Sequence, residues 1–134
     1  HRDLAAVALE SRALIGLGPG LTPAGDDFVG GVLFAARHVG FAQPHACPWE
    51  QSAVADLLAF ARWQTVPISY AILHDHANGE GAEPLHALVA GILNARHCGD
   101  IMVYVRHLLR IGGTSGAEML AGALTGLLTI ADEN

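Results

Sequence analysis

The sequence contains no lysine, and its seven basic residues are all arginine. With thirteen acidic residues the formal net charge is −6, and the arginines form no basic stripe of the kind that binds nucleic acid. No run of about eighteen apolar residues occurs, as a membrane-spanning helix would need. These absences argue against nucleic acid and membranes as partners.

Cysteine is also scarce. Only Cys47 and Cys98 are present, and their spacing matches neither a metal site nor a redox motif. Two isolated cysteines are typical of a reducing compartment, although a single disulfide stays open as an alternative. Because no signal peptide is visible, we predict a cytoplasmic protein.

The composition that is present indicates a packed domain. Hydrophobic residues make up 51% of the 134 residues, charged residues 15%, and glycine is frequent at 16 positions. This length suits one domain, which we place at residues 1–134. The sequence starts His1-Arg2-Asp3 without methionine, and its surface would be unusually apolar. We therefore expect the C-terminal part of a longer protein, partnered by its own N-terminal domain or by other subunits.

Apolar spacing predicts an all-α fold, a single compact bundle of about seven helices. The stretch from Ile101 is ambiguous because Ile-Met-Val-Tyr-Val resembles a strand, but a lone strand would lack a partner. The predicted helices are Asp3–Ile15, Pro23–Val39, one from Pro48, Ile68–Ala77, one from Pro84, Ile101–Leu109 and Ala117–Ala131.

A glycine-rich turn at residues 16–27 precedes the second predicted helix. It reads Gly-Leu-Gly-Pro-Gly-Leu-Thr-Pro-Ala-Gly-Asp-Asp. Thr22 is predicted as the N-cap and Pro23 as the first helical residue. Such a turn presents backbone N–H groups at a helix N-terminus, where anions bind. The turn therefore predicts an anion site with two carboxylates beside it.

A second glycine-rich turn repeats this pattern at an offset of 91 residues. Gly25-Asp26-Asp27-Phe28-Val29-Gly30-Gly31 aligns with Gly116-Ala117-Glu118-Met119-Leu120-Ala121-Gly122. Asp27 and Glu118 each share a helix face with small residues, which let two helices approach closely. We expect the second and seventh helices to pack centrally about a pseudo-twofold axis, with their acidic ends close together.

Two chemistries suit the paired turns. In the first, backbone N–H groups and hydroxyls bind a phosphate or carboxylate. In the second, Asp26, Asp27 and Glu118 bind Mg²⁺, which prefers oxygen ligands and can bridge to a phosphate. The same three acids are the candidate catalytic residues, and Asp27 rather than Asp26 is expected to face Glu118. The candidate substrate-binding residues are Gly18, Gly20, Thr22, Gly25, Thr114, Ser115, Gly116, Thr65 and Ser69.

A purely structural interpretation stays open for several of these residues. Ser115 and Glu118 have the spacing of a capping box, and Thr65 and Ser69 are also ordinary helix-start residues. The pattern His74-Asp75-His76 is predicted to be a solvated helix end. His38, His97 and His107 are predicted near helix C-termini, where they suit the helix dipole. The eight histidines include no i, i+4 pair of the kind that binds zinc.

The segment Gly16–Phe28 resembles the signature of AllH, a bacterial family first catalogued as a domain of unknown function. The turn at residues 111–116, with the residues that follow it, is similar to the family's second motif, and Thr65, Ile68, Ser69 and Gly79 match a third. The resemblance covers nearly the whole chain. This chain differs in having Glu118 where Asp is usual, and Gly113 where a larger polar residue is common.

The resemblance implies a transferase subunit acting in allantoin degradation, a branch of purine catabolism. The implied reaction transfers a carbamoyl group between carbamoyl phosphate and oxamate, giving oxalurate and phosphate, or runs in reverse. It also implies a small anionic substrate and other subunits as partners. The alternative is a noncatalytic assembly module whose glycine turns serve helix packing and capping.

Overall fold

The computed structural model describes residues 3–45 and 47–131, and within them the chain forms helices and no strand. The all-α prediction is confirmed, including the helix over the ambiguous stretch from Ile101. The seven α-helices of these residues are α1 (Leu4–Ser11), α2 (Ala24–Ala42), α3 (Gln51–Gln64), α4 (Pro67–Ala77), α5 (Glu83–Leu93), α6 (Cys98–Leu109) and α7 (Ser115–Ala131), and a 3-10 turn (Arg12–Leu14) follows α1.

Helix α2 is the centre of the fold. Its side chains Val29, Leu33 and Phe34 are completely buried, as expected for a helix that is apolar on nearly all sides. Helix α7 packs along α2 on one side and α4 on another, while α1 lies against α3 and α5 against α6. The N-terminal end of α2, where the glycine-rich turn enters, is therefore surrounded by other elements.

Helices α2 and α7 touch through their backbones. A Cβ atom added to Gly31 would lie 2.3 Å from the carbonyl oxygen of Met119, and one added to Gly122 would lie 2.0 Å from that of Phe28. These distances are well inside van der Waals contact, so only glycine fits at either position. The predicted close packing of the two helices is confirmed, and the pseudo-twofold axis stays a prediction.

Several helix ends differ from the sequence prediction. Helix α1 stops at Ser11 and continues as a 3-10 turn rather than reaching Ile15. Helix α6 begins at Cys98, because the His97 ring accepts a hydrogen bond from the Gly99 N–H at 3.0 Å. The prediction that His97 lies near a helix C-terminus is therefore wrong.

The described residues give two further findings. Cys98 carries a free thiol at the surface, so the disulfide alternative is wrong. In the part of the chain that the structure describes, no helix has both the length and the apolar character needed to cross a membrane.

Candidate functional site

The first glycine-rich turn has a backbone that only glycine adopts readily. The φ angles of Gly16, Gly18 and Gly20 are +79°, +121° and +88°, in the region that L side chains avoid. Gly18 also folds onto the start of α2, since an added Cβ would lie 2.9 Å from the Ala24 nitrogen. The turn therefore curls over the N-terminus of α2.

The start of α2 lies one residue later than predicted. Pro23 is the N-cap and Ala24 the first helical residue. Thr22 is not the N-cap, because its hydroxyl forms a hydrogen bond of 3.0 Å with the Ser115 hydroxyl instead. This bond joins the first glycine-rich turn to the second, across 93 residues of sequence.

The turn retains unused hydrogen-bond donors. The N–H groups of Gly25, Asp26 and Asp27 donate to the carbonyls of Leu17 and Pro23. Among the described residues, no backbone or side-chain group accepts a hydrogen bond from the N–H groups of Gly18, Gly20, Leu21, Thr22 and Ala24. The free donors thus belong mainly to the partly exposed turn rather than to the first helical turn.

Asp26 is a buried hydrogen-bonding hub. Its side chain is 2% exposed. One carboxylate oxygen accepts the Gly16 N–H at 2.7 Å, and the other accepts the hydroxyl of Ser69 at 2.6 Å and that of Thr65. The purely electrostatic role expected of Asp26 is therefore replaced by a structural one, which ties the turn to the start of α4. Thr65 and Ser69 do join the polar cluster.

Asp27 is equally buried but is not satisfied. It is 2% exposed, and its Oδ2 atom has no hydrogen-bond partner. Burial raises the pKa of Asp27 from 3.8 to about 6; a hydrogen bond from Ser115 opposes the rise, and the charges of Asp26 and Glu118 add to it. The expectation that Asp27 faces Glu118 stays a prediction.

The second glycine-rich turn leads into α7, as the first leads into α2. Ser115 is the first residue of α7, and the Glu118 N–H donates to the Thr114 carbonyl at 3.0 Å. The capping box expected from Ser115 is wrong, since its hydroxyl forms a hydrogen bond with the Thr22 hydroxyl instead. Gly116 has no room for a side chain, because an added Cβ would lie 1.8 Å from the Leu108 carbonyl oxygen.

The aligned glycines of the two turns, Gly25 and Gly116, make equivalent backbone contacts. The Gly25 N–H donates to Leu17, and an added Cβ would strike the carbonyl of Leu14, three residues earlier. The Gly116 N–H donates to Ile111, and an added Cβ would strike the carbonyl of Leu108, again three residues earlier. In both turns, therefore, the aligned glycine donates its N–H to a preceding carbonyl and packs against the carbonyl three residues before that one.

Three helix N-termini meet at the acidic pair. Asp26 and Asp27 lie in the first turn of α2, the partners of Asp26 lie at the start of α4, and Ser115 begins α7. The positive ends of three helix dipoles favour negative charge at one place. A shallow cavity of about 360 Å³ opens beside this cluster, lined by Leu14, Leu17, Gly18, Ala24, Gly25, Phe28 and Glu118.

A metal site is not assembled by side chains alone. Within residues 3–45 and 47–131, no group of three or more His, Cys, Asp or Glu side chains is placed to hold a metal ion. Both oxygens of Asp26 are already hydrogen-bonded. Any Mg²⁺ at this end of the fold would depend on Asp27, Glu118 and ligands from a substrate.

Sequence reasoning missed a cluster of three histidines, in which His76 is buried and His38 and His86 are half-buried. His76 is 2% exposed, its Nδ1 has no partner, and burial lowers its pKa to about 4. The solvated-end prediction is right for His74 and Asp75 but wrong for His76. His38 lies four residues before the end of α2 at Ala42, and its Nε2 donates a hydrogen bond to the Gly79 carbonyl at 2.9 Å, just after the end of α4.

These histidines surround one phenylalanine. The ring of Phe34 lies 4.4 Å from that of His38, 4.8 Å from His86 and 6.0 Å from His76. The sequence feature that could have indicated the burial of His76 is its spacing of three residues from Leu73, since both lie on the buried face of α4.

Comparison with known proteins gives one result. A search among curated proteins and a search among solved structures each found no match. The family model described as oxamate carbamoyltransferase subunit AllH matches residues 14–127, from the entry of the first glycine-rich turn through most of α7. Because this match covers most of the chain and includes both turns, the chain belongs to the AllH family of oxamate carbamoyltransferase subunits.

Proposed function

We propose that this protein acts in the bacterial cytoplasm as one subunit of a carbamoyl-transferring enzyme, and that its glycine-rich turns bind a small anion. Membership of the AllH family supports carbamoyl transfer as the reaction class. Because members of this family are enzyme subunits, it also implies that the enzyme contains further chains. The observation that carries the site is the meeting of three helix N-termini beside free N–H groups and a buried, unsatisfied Asp27.

The reaction fits a site of this kind. Carbamoyl phosphate, oxamate, oxalurate and phosphate are all small anions that carry phosphate or carboxylate oxygens. The N–H groups of Gly18 and Gly20 and the hydroxyls of Thr22, Thr114 and Ser115 are the donors that would bind them. Donors aimed at a carbonyl oxygen also stabilise the charge that develops there during transfer.

The carboxylates oppose an anion unless their charge is reduced. Protonation of Asp27, whose pKa is raised to about 6, removes its charge below that pH, and Glu118 lines the cavity. We propose Mg²⁺ as the alternative means, with Glu118 and Asp27 as its protein ligands and the substrate phosphate completing the shell.

Calorimetry on the enzyme assembled from all its subunits tests the proposal. Carbamoyl phosphate should release or absorb heat on binding, and Thr22→Val should weaken binding by about tenfold, the effect of losing one hydrogen bond to a charged group. Thr125→Val is the matched control, because the Thr125 hydroxyl bonds only its own helix. Titrations with and without Mg²⁺, repeated in Glu118→Gln, distinguish protonation of Asp27 from Mg²⁺ binding as the means of reducing the negative charge.

No binding of carbamoyl phosphate or oxamate under any of these conditions would contradict the proposal. Equal affinity in wild type, Thr22→Val and Thr125→Val would place the ligand elsewhere in the enzyme.

Specific observations also favour the assembly alternative. Gly25, Gly31, Gly116 and Gly122 are required by packing alone, and Asp26 is fully used in holding the turn to α4. In this function the turns set the shape of a surface that another subunit contacts. Asp27→Asn would then change complex formation, measured by analytical ultracentrifugation, without changing ligand affinity.

A further inference from the structure

We propose that a groove between α3 and α4 binds an amphipathic helix of another subunit, which presents apolar side chains to the groove and acidic ones beside them. This inference rests on the proposed function only in taking the chain as one subunit of a larger enzyme, and it does not use the anion site. The groove has a volume of about 450 Å³, and Trp49 lines it just before α3 begins.

The groove runs along one stripe of each helix. The residues that line it on α3 recur at helical spacing and include Val54, Ala55, Leu58, Ala59 and Arg62. Those on α4 do the same and are Tyr70, His74, Ala77 and Asn78. Counted from Gln51 to Arg62, the α3 stripe is about 16 Å long, or roughly three helical turns. This length suits a bound helix that contacts the groove at positions i, i+3 or i+4, and i+7.

The groove contains the residue types that contribute most to binding at protein interfaces. Trp49, Trp63, Tyr70 and Arg62 all line it, and Trp, Tyr and Arg are the types most enriched among such residues. The Trp63 side chain is 81% exposed, although tryptophan gains much from burial. A small molecule would cover little of so exposed a ring, whereas a protein partner can enclose it.

Trp49 is held in place before a partner binds. The guanidinium carbon of Arg37, on α2, lies 4.5 Å from the centre of the Trp49 ring and 4.5 Å from that of Phe41. The Trp49 Nε1 donates a hydrogen bond to the Gln51 side chain at 3.1 Å. An aromatic side chain that is already fixed loses little conformational entropy on binding. Trp49 is therefore suited to receive an apolar side chain of the partner.

The charge of the groove favours an acidic partner. Arg62 and His74 line it, and none of its described lining residues is Asp or Glu, although the chain as a whole has a net charge of −6. The acids on the same two helices, Asp56 on α3 and Asp75 on α4, lie outside both stripes. Complementary charge speeds association and suppresses wrong partners. The helix that binds here should therefore carry Asp or Glu beside its apolar residues.

Sedimentation equilibrium of this chain with the purified other subunits tests the groove. Trp63→Ala should weaken assembly by about thirtyfold, the effect of losing a residue that dominates an interface. Leu9→Ala is the matched control, since Leu9 is a large hydrophobic residue of α1 that is 66% exposed, and it should assemble as wild type does. Both residues are exposed, so both variants should keep the circular dichroism of the wild-type helices.

A charge reversal tests the acidic character of the partner. Arg62→Glu should weaken assembly, and by more at low salt than at high salt, because salt screens the repulsion that it introduces. Arg106→Glu, at an exposed position of α6, changes the net charge equally and should leave assembly unchanged. An equal effect of the two reversals would show that only net charge matters, and would overturn the groove as the interface.

A photocrosslinker identifies the occupant. Benzoylphenylalanine in place of Ala59, an exposed residue of the α3 stripe, should capture a peptide of another subunit. The captured peptide should carry apolar residues three and four apart with Asp or Glu near them. Capture of a second copy of this chain, or of a peptide without that pattern, would overturn the proposal.

The outcomes separate the groove from the proposed function. Wild-type assembly of Trp63→Ala, or equal weakening by Trp63→Ala and Leu9→Ala, overturns the groove and leaves the proposed function standing. An enzyme that assembles through the groove but neither binds carbamoyl phosphate nor transfers its carbamoyl group overturns the proposed function alone. A wild-type chain that joins no other subunit overturns both.

Discussion

Asp26 and Asp27 are adjacent and equally buried, yet their surroundings differ completely. One step along a helix turns a side chain by about 100°, since each turn takes about 3.6 residues. Asp26 therefore accepts hydrogen bonds from the hydroxyls at the start of α4, whereas Oδ2 of Asp27 has no hydrogen-bond partner. The sequence indicated both acids as important. It left the partners of Asp26 open because they lie 39 and 43 residues away.

Replacing Asp26 tests its structural role. Asp26→Asn keeps the shape but puts an NH₂ group against donors, so at least one buried donor loses its acceptor. We expect unfolding in urea to show a loss of about 2–3 kcal/mol. Asp56→Asn, at an exposed position of α3, should change stability by less than about 0.5 kcal/mol. Equal stability of the two variants would contradict the role of Asp26 as a hub.

At the scale of elements, the contact between α2 and α7 depends on glycine. Gly31 and Gly122 lie where any side chain would meet backbone rather than a movable side chain. This contact was predictable because the aligned motifs placed small residues on one face of each helix. The helix starts were less predictable. Thr22 and Ser115 have the composition of N-caps, but their hydroxyls bond to each other across the two turns.

An alanine substitution in this contact should be destabilising. For Gly122→Ala we expect a loss of about 1–3 kcal/mol or more, because the two backbones must separate. Gly91→Ala, within α5, is the matched control, since its added Cβ would lie 3.4 Å from Tyr104 in ordinary contact. That variant should gain up to about 1 kcal/mol from its higher helix propensity. Thermal unfolding of both variants would check the opposite signs.

For the whole molecule, two buried groups make opposite contributions to the pH dependence of stability. The pKa of His76 is lowered by burial from 6.5 to about 4, so between these values the unfolded chain binds more protons and stability rises with pH. The contribution of His76 is about 3 kcal/mol, fully present above pH 6.5 and lost as pH falls toward 4. His86, whose pKa burial also lowers, acts in the same direction.

Asp27 makes the opposite contribution to the pH dependence of stability. Its pKa is raised from 3.8 to about 6, so the folded protein holds the proton longer, and this contribution is lost as pH rises through 6. Asp27→Asn should therefore steepen the rise of unfolding free energy between pH 4 and 6, and His76→Asn should flatten it. Gln64→Asn, at an exposed position of α3, replaces no titratable group and should leave the slope unchanged. Chemical denaturation at each pH measures these slopes, and parallel slopes in all variants would contradict the assignment.

Burial of His76 shows what the sequence could not provide. The pattern His74-Asp75-His76 is polar, and its composition favours a solvated end. Only the packing of α4 against α2, with Gly30 and Gly81 leaving space for the imidazole ring, turns His76 inward. The bundle and the central helix pair followed from local patterns. The histidine cluster depended on contacts between elements distant in the sequence.

The hydrogen bond between Thr22 and Ser115 has a consequence for folding kinetics. It closes a loop of 93 residues, and α2 packs most extensively on α7, the helix farthest from it along the chain. Helical proteins usually fold quickly because their contacts are local, and distant contacts slow the search. This protein should fold more slowly than other bundles of its length. Its polar site forms late, because neither turn can complete it before the central pair has docked.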